Sequence, residues 1–237
     1  MSSSVHVGES TAKAVLSARR SLLARGSRST QIADIIRSCI LEGEFLPGTR
    51  LSEPDICSGL GVSRNTLREA FKSLVEERLV VHELNRGVFV RIPTPEDVAE
   101  LYSCRRIVEC AAIRGVDLAT AHLGALQRAL DDADAHAAQG DWTGVGNADI
   151  AFHKAISALN NSRRLDRLMN DVWNELRLVF HVMADPHTFH MPYLARNHAI
   201  YDAVIAGAID VAENMLLAYL SDAEGQILSA YAPGPQI

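Results

Sequence analysis

Arg64, Asn65, Thr66 and Arg68 follow Ser63 in the stretch Gly59-Leu60-Gly61-Val62-Ser63-Arg64-Asn65-Thr66-Leu67-Arg68-Glu69-Ala70-Phe71. These are side chains that read base edges: Arg forks onto guanine, Asn onto adenine, and Thr meets a thymine methyl. Leu67, Ala70, Phe71 and Leu74 recur at helical spacing, which leaves the polar residues in the first turns, off the apolar face. Ser63 is placed to cap that helix, and Gly61 to supply a positive φ for the turn before it. A plain amphipathic helix with a solvated basic face has the same local pattern, so the flanking elements decide between them. A second group lies further along. Asp149 and His153 are four residues apart and share a helix face flanked by Phe152 and Ile156. Such a carboxylate and imidazole either begin a site for Zn²⁺ or a similar ion, or form an Asp–His pair in which the carboxylate orients the ring. Arg105 and Glu109 have the same spacing, which permits an ion pair. His181, His187, His190 and His198 sit near Pro186 and Pro192 and read as solvated loop histidines.

The elements around Ser63 make a recognisable unit. Ser29 or Thr30 caps a helix to about Glu42, with Ile32, Ile35, Ile36, Cys39 and Ile40 on one side and Gly43 ending it. Pro47-Gly48 is a turn. Ser52-Glu53-Pro54-Asp55 opens a short second helix that ends near Gly59, and the Ser63 helix continues to about Glu77. Leu79–Glu83 and Val88–Ile92 are β-prone runs joined by Leu84-Asn85-Arg86-Gly87, a hairpin that must pack on the helices to be stable. Three helices and a hairpin are a winged helix, whose tip presents Asn85 and Arg86 to a groove or a phosphate.

Composition fits one module that meets a polyanion and another that does not. Residues 1–92 carry 13 Lys/Arg against 10 Asp/Glu, a net charge of +3; residues 93–237 carry 10 against 19, a net of −9. Hydrophobic content of 48% with only 5% aromatics favours a helical core. No run reaches membrane-span length and no apolar leader opens the chain. Cys39, Cys57, Cys104 and Cys110 include no C-x-x-C pair, so reduced thiols in the cytoplasm are expected. The expected organisation is a flexible N-terminal arm over residues 1–28, or a short amphipathic helix around Thr11–Ala24 within it. Then come a winged helix-turn-helix over 29–92, a linker over 93–97 in which Thr94 caps the next helix, and an all-α antiparallel bundle over 98–230. A tail of residues 231–237 closes the chain. Helices are expected at about 96–119, 123–139, 142–159, 162–183, 193–206 and 208–230.

The blocks Gly43-Glu44-Phe45-Leu46-Pro47-Gly48-Thr49-Arg50-Leu51-Ser52-Glu53, Gly61-Val62-Ser63-Arg64-Asn65-Thr66-Leu67-Arg68-Glu69-Ala70 and Asn85-Arg86-Gly87-Val88-Phe89-Val90 resemble the winged-helix domain of GntR-family bacterial transcription regulators. The resemblance implies operator contacts from Arg50, Ser63, Arg64, Asn65, Thr66, Arg68, Asn85, Arg86 and Gly87. Asn65 departs from the Pro or Thr common after Ser-Arg in that family. Leu101-Tyr102-Ser103-Cys104-Arg105-Arg106-Ile107-Val108-Glu109, Asp149-Ile150-Ala151-Phe152-His153 and Asn197-His198-Ala199-Ile200-Tyr201-Asp202-Ala203-Val204 resemble the FCD domain of the FadR subfamily. That implies an effector pocket drawn from Arg105, Asp149, His153, Arg177, Asn197 and Tyr219, with Arg105 forking onto an effector carboxylate. The family's metal site uses the Asp, the His four residues on, and one His from each of the last two helices. Here those last positions fall on Asn197 and Tyr219, while His198 is one residue off, turned about 100° round the helix. Only Asp149 and His153 survive, with His198 or His181 as substitutes if a helix is shifted. A polar pocket with degraded or absent Zn²⁺ or Ni²⁺ affinity is the expectation.

The expected function is a DNA-binding transcription regulator, a homodimer on an inverted repeat, acting as a repressor that a small carboxylic acid controls. The alternatives are a metal-responsive regulator and a metal-dependent enzyme. No nucleophile elbow, phosphate loop or H-E-x-x-H occurs, and an enzyme would leave the winged helix unexplained.

Overall fold

The computed structural model describes residues 9–19, 27–119, 121, 123–183 and 185–231. It divides into two compact units, Met1–Pro93 and Thr94–Ile237.

The first unit contains α1 (Glu9–Arg19), α2 (Arg28–Leu41), β1 (Arg50–Leu51), α3 (Glu53–Leu60), α4 (Arg64–Glu76), β2 (Val80–Glu83) and β3 (Gly87–Val90). Its core joins Ile32, Ile36 and Ile40 of α2, Ile56 and Leu60 of α3, Leu67 and Leu74 of α4, and Val88 and Val90 of β3, all at most 4% exposed. Burying side chains of this size stabilises by about 1.5–3 kcal/mol each, against about 1 kcal/mol for an N-cap. Packing therefore holds α4 in place, and the Ser63 cap decides where it starts. A two-point ion pair from Arg37 to Glu77, at 2.6 and 2.7 Å, fastens α2 to the end of α4.

Two details of this unit depart from the sequence expectation. Residues 9–19 are a helix packed on α3, two residues earlier in start than the short helix offered as the alternative to a flexible arm. Leu16 is fully buried and fits against Gly59, where an added Cβ would lie 3.1 Å from that of Leu16. Arg19 pairs with Glu42 and, at 3.1 Å, with Glu44. The remainder of the expected arm, residues 1–8 and 20–26, lies outside the described residues, as do 232–237 of the expected tail. The hairpin also gains a third strand. β3 lies centrally in the order β1-β3-β2, with Val80 opposite Val90, Glu83 opposite Gly87, and Arg50 opposite Phe89. A two-residue strand has no alternation for a sequence reading to detect.

The second unit is all helical: α5 (Pro95–Arg114), α6 (Gly124–Ala138), α7 (Trp142–Ala158), α8 (Arg163–Val182), α9 (Pro186–Ile205) and α10 (Ile209–Tyr231). Thr94 and Asp97 form a reciprocal capping box at the start of α5, so the helix begins inside the stretch expected as a linker. α5 stops at Arg114, short of the expected 119. α7 packs on α5, α6, α8 and α9. It accordingly buries residues around much of its circumference, Gly144, Val145, Gly146, Asp149, Phe152 and His153 among them. α9 starts at Pro186 instead of near 193. Asp185 caps it through the His187 N–H at 3.0 Å, and Pro186 occupies the first turn, where its missing N–H costs nothing. Pro192 then sits inside the helix and removes one backbone bond. The burial of Phe189, His190 and Tyr193 on that segment offsets the loss.

Candidate functional site

The first candidate site is the exposed leading end of α4. Ser63 caps the helix by accepting the Thr66 N–H at 3.2 Å, and the two hydroxyls lie 2.7 Å apart. Gly61, at φ 68°, ends α3 in the left-handed region that lets the chain reverse into α4. Ser63, Arg64, Asn65 and Arg68 are exposed and Thr66 is half-buried, with Leu67 and Ala70 beneath them. Arg68 reaches back to Glu53 at 3.3 Å. The Arg64 and Asn65 side chains make no hydrogen bond among the described residues. At the wing, Asn85 takes φ 61° and Gly87 φ 110°, which makes the tight tip between β2 and β3. Arg86 pairs with Glu83 and lies 5.3 Å from the Phe89 ring centroid. Arg50 is brought beside the tip: a Cβ on Gly87 would be 3.6 Å from its Nε. The arrangement presents Arg50, Arg64, Arg68 and Arg86 on one small unit, with Asn65 and Thr66 among them, as base-edge and phosphate recognition requires.

The second candidate site is a buried polar network in the helical bundle. Glu109 of α5 accepts from Arg105 Nε at 2.8 Å and faces His153 Nδ1 of α7 at 2.6 Å. All three side chains are at most 1% exposed. Burial alone would raise the Glu109 carboxyl; the adjoining Arg105 and His153 outweigh it and hold the pKa below its ordinary value. An ionised carboxylate only accepts, so His153 must donate from Nδ1. Its Nε2 is then turned toward Asp149 Oδ1, 3.8 Å away and too far for a hydrogen bond. That Asp149 oxygen accepts from Asn197 Nδ2 of α9 at 2.7 Å and from Tyr219 Oη of α10 at 2.6 Å. Arg105 completes the wall, 4.8 Å from the Tyr102 ring centroid and 5.6 Å from that of Trp173. Three buried atoms of this network have no hydrogen-bond partner: Arg105 Nη2, His153 Nε2 and Asn197 Oδ1. Leaving one such atom unsatisfied costs about 1–3 kcal/mol, so three in one network make it a candidate binding site.

Five of the six expected pocket residues thus come together: Arg105, Asp149, His153, Asn197 and Tyr219. Arg105 both points inward and pairs with Glu109, the two roles that its spacing and its family resemblance had offered separately. The sixth, Arg177, lines a separate small cavity with His181 and His190. Sequence reasoning did not see Glu109 as the partner of His153, nor Ser157 and Asn174, whose buried Oγ and Nδ2 also lack partners. It also placed His190 in a solvated loop; the ring is 4% exposed, on α9. The signal was there in Phe189, His190, Tyr193 and Asn197 at helical spacing behind the Asp185-Pro186 start.

The donors do not suit a tightly held divalent metal. Tyr219 is buried beside Asp149, which drives its pKa well above the ordinary value, so the phenol keeps its proton and donates it to the carboxylate. Asn197 contributes an amide, already donating to the same oxygen. His198 faces Asp134 at 3.1 Å, half-exposed, and does not replace a ligand; His181 lines the other cavity. Among the described residues no group of three or more His, Cys, Asp or Glu is placed to hold a metal ion. No helix among them is long and apolar enough to cross a membrane.

Residues 28–90 match the family model of the bacterial regulatory proteins, gntR family, and residues 100–222 match that of the FCD domain. A crystal structure from Rhodococcus sp. RHA1, described as a transcriptional regulator GntR, is 62% identical with a TM-score of 0.85, covering 87% of this chain and 100% of that one. The galactonate operon transcriptional repressor of Escherichia coli is 26% identical over 218 residues, 82% of this chain and 94% of the relative. The HTH-type transcriptional regulator LutR of Bacillus subtilis is 29% identical over 218 residues, 81% and 97% of the two chains. These families and relatives are transcription regulators, not enzymes. With a winged helix-turn-helix in front and the FCD bundle behind it, the chain belongs to the GntR family of DNA-binding transcription regulators, in its FadR subfamily.

Proposed function

We propose that this regulator is a dimeric repressor of an inverted-repeat operator, released by a small hydroxy acid bound in the helical bundle. The unpartnered atoms of the buried network carry the reading, because they specify the ligand. Arg105 Nη2 is a donor and calls for a carboxylate oxygen. Asn197 Oδ1 is an acceptor and calls for a hydroxyl donor, and His153 Nε2 can pair with a hydroxyl, which both donates and accepts. An acid with one or more hydroxyls answers all three; a plain hydrocarbon acid answers one. The galactonate operon repressor supports the repressor role by its name, and galactonate is itself a hydroxy acid. On the DNA side, Ser63, Arg64, Asn65, Thr66 and Arg68 enter the major groove, and Arg50, Asn85, Arg86 and Gly87 meet the adjacent backbone. One recognition helix reads too few base pairs for an operator, which is why two copies are needed. The acid shifts the population toward a conformation whose two recognition helices no longer match the half-site spacing.

Calorimetry on the purified protein tests the ligand half. A panel pairing each hydroxy acid with its deoxy counterpart should give saturable heats for at least one hydroxy acid. Its deoxy partner should bind at least about tenfold more weakly, because two buried polar atoms then stay unpaired. Equal affinity for the members of every pair, or no binding of any, would refute it.

A further inference from the structure

Beyond the buried network the bundle holds a second polar cavity, of about 30 Å³, where α7, α8 and α9 meet. Helix spacing builds it. Thr143 and Asn147 are one turn apart on α7, Arg177 and His181 one turn apart on α8, and His190 comes from α9. Three of its lining residues are Arg or His and none is Asp or Glu. Arg177 is half-buried, and its side chain makes no ion pair among the described residues. A guanidinium removed from water without a counter-charge is costly, and such groups are found paired. Burial accordingly pushes the Arg177 pKa down, with no neighbouring charge raising it. The close approach is also paid for in helix propensity. Gly146, inside α7, lies so near His190 that a Cβ there would fall 2.5 Å from its Nε2. Glycine within a helix costs about 1 kcal/mol relative to alanine, so its presence keeps room for the His190 ring against the α7 backbone.

We propose that Arg177, His190 and the Thr143–Asn147 turn of α7 form an oxyanion site, separate from the Arg105 network, that takes a single carboxylate or phosphate group. Arg177 supplies the charge, and the Thr143 hydroxyl and Asn147 amide supply neutral donors at the rim. The volume is about that of one water, so one oxygen of the anionic group enters the cavity and the rest of the group stays outside it. The inference does not depend on the hydroxy-acid reading, because the two sites share no residue.

Thermal melting of the full chain in acetate and, separately, in inorganic phosphate tests it, with Arg177→Gln as the comparison. The wild type should show a saturable rise of about 2–4 °C at roughly five times the Kd of whichever anion binds. Arg177→Gln should melt at or above the wild type without anion, since a desolvated charge is gone, and should lose the saturable part. Tyr219→Phe, which alters the other network, should keep it. Gly146→Ala, which displaces His190, should weaken it at least about fivefold in apparent Kd. Saturable shifts of equal size in the wild type and Arg177→Gln would overturn the proposal, as would the absence of any with both anions. A shift abolished by Tyr219→Phe and kept by Arg177→Gln would move the anion to the Arg105 network, refuting the second site while leaving the hydroxy-acid reading intact.

Discussion

Glu109 has the most consequential role of any single side chain, and its sequence position announced only half of it, the one-turn pairing with Arg105. Among the described residues it is the only hydrogen-bond partner of the Arg105 and His153 side chains, and all three are out of water. Glu109→Gln leaves Arg105 as a buried charge without its counter-ion; chemical denaturation should show a loss of about 3–5 kcal/mol. Acid should act on the same place. The Glu109 pKa is depressed in the folded state, as is that of Asp149, where burial is again outweighed, here by His153 and His190. The stabilisation is therefore complete above the ordinary carboxylate range and is lost as the pH falls through the depressed values. Melting temperature should decline below about pH 4.5, and less steeply in Glu109→Gln. On the DNA side, Arg64→Ala should relax preference at one base position by about 1–3 kcal/mol. Arg50→Ala should weaken binding to all sequences alike and reduce the salt slope by about one, as loss of a phosphate contact does; competition binding on a randomised site distinguishes the two. What could be read at this scale in advance was local. Ser63 capping Thr66 is a three-residue relation, and Asp149 with His153 a one-turn relation. The Glu109–His153 pairing spans 44 residues between two helices, and no periodicity within either helix encodes it.

Individual elements separate in the same way. Helices α2 and α3 were legible because each has an apolar stripe and a glycine just past its end, Gly43 or Gly61, and α4 because its apolar spacing follows the Ser63 cap. β1 was not, since its two residues take their conformation from pairing with β3. α9 was misjudged because Pro192 reads as a breaker, whereas Phe189, His190 and Tyr193 bury enough surface to carry the helix through it. α1 was left open between an arm and a short helix because its anchor is a single leucine whose seat, Gly59, belongs to another helix. Two substitutions probe these elements. Ser63→Ala should cost about 1 kcal/mol of stability in the first unit, read from urea denaturation, by freeing the Thr66 N–H. Gly59→Val should force α1 off α3 at a cost of about 1–3 kcal/mol, and limited proteolysis should then cut within residues 9–19 first.

For the whole molecule, the division of labour follows from charge and from burial. The mildly basic first unit exposes Arg64 and Asn65 with no side-chain hydrogen bond among the described residues, whereas the acidic second unit buries the Arg105–Glu109–His153 network. The family resemblance predicted this division, and the matched family models support it over residues 28–90 and 100–222. On the proposed reading, Asn197 and Tyr219 in place of metal-binding histidines leave the signal to the hydrogen-bonding groups themselves. Activity should accordingly be indifferent to chelators, with operator affinity unchanged within about twofold on treatment with EDTA. The most direct measurement is operator affinity by fluorescence anisotropy, on an inverted repeat selected from a random library, with and without the hydroxy acid that calorimetry identifies. The account predicts salt-sensitive binding that the acid weakens by roughly 5–150-fold, the range of a coupling of about 1–3 kcal/mol, and that Arg105→Gln makes unresponsive to it. An operator Kd that stays the same with the binding site saturated would contradict it.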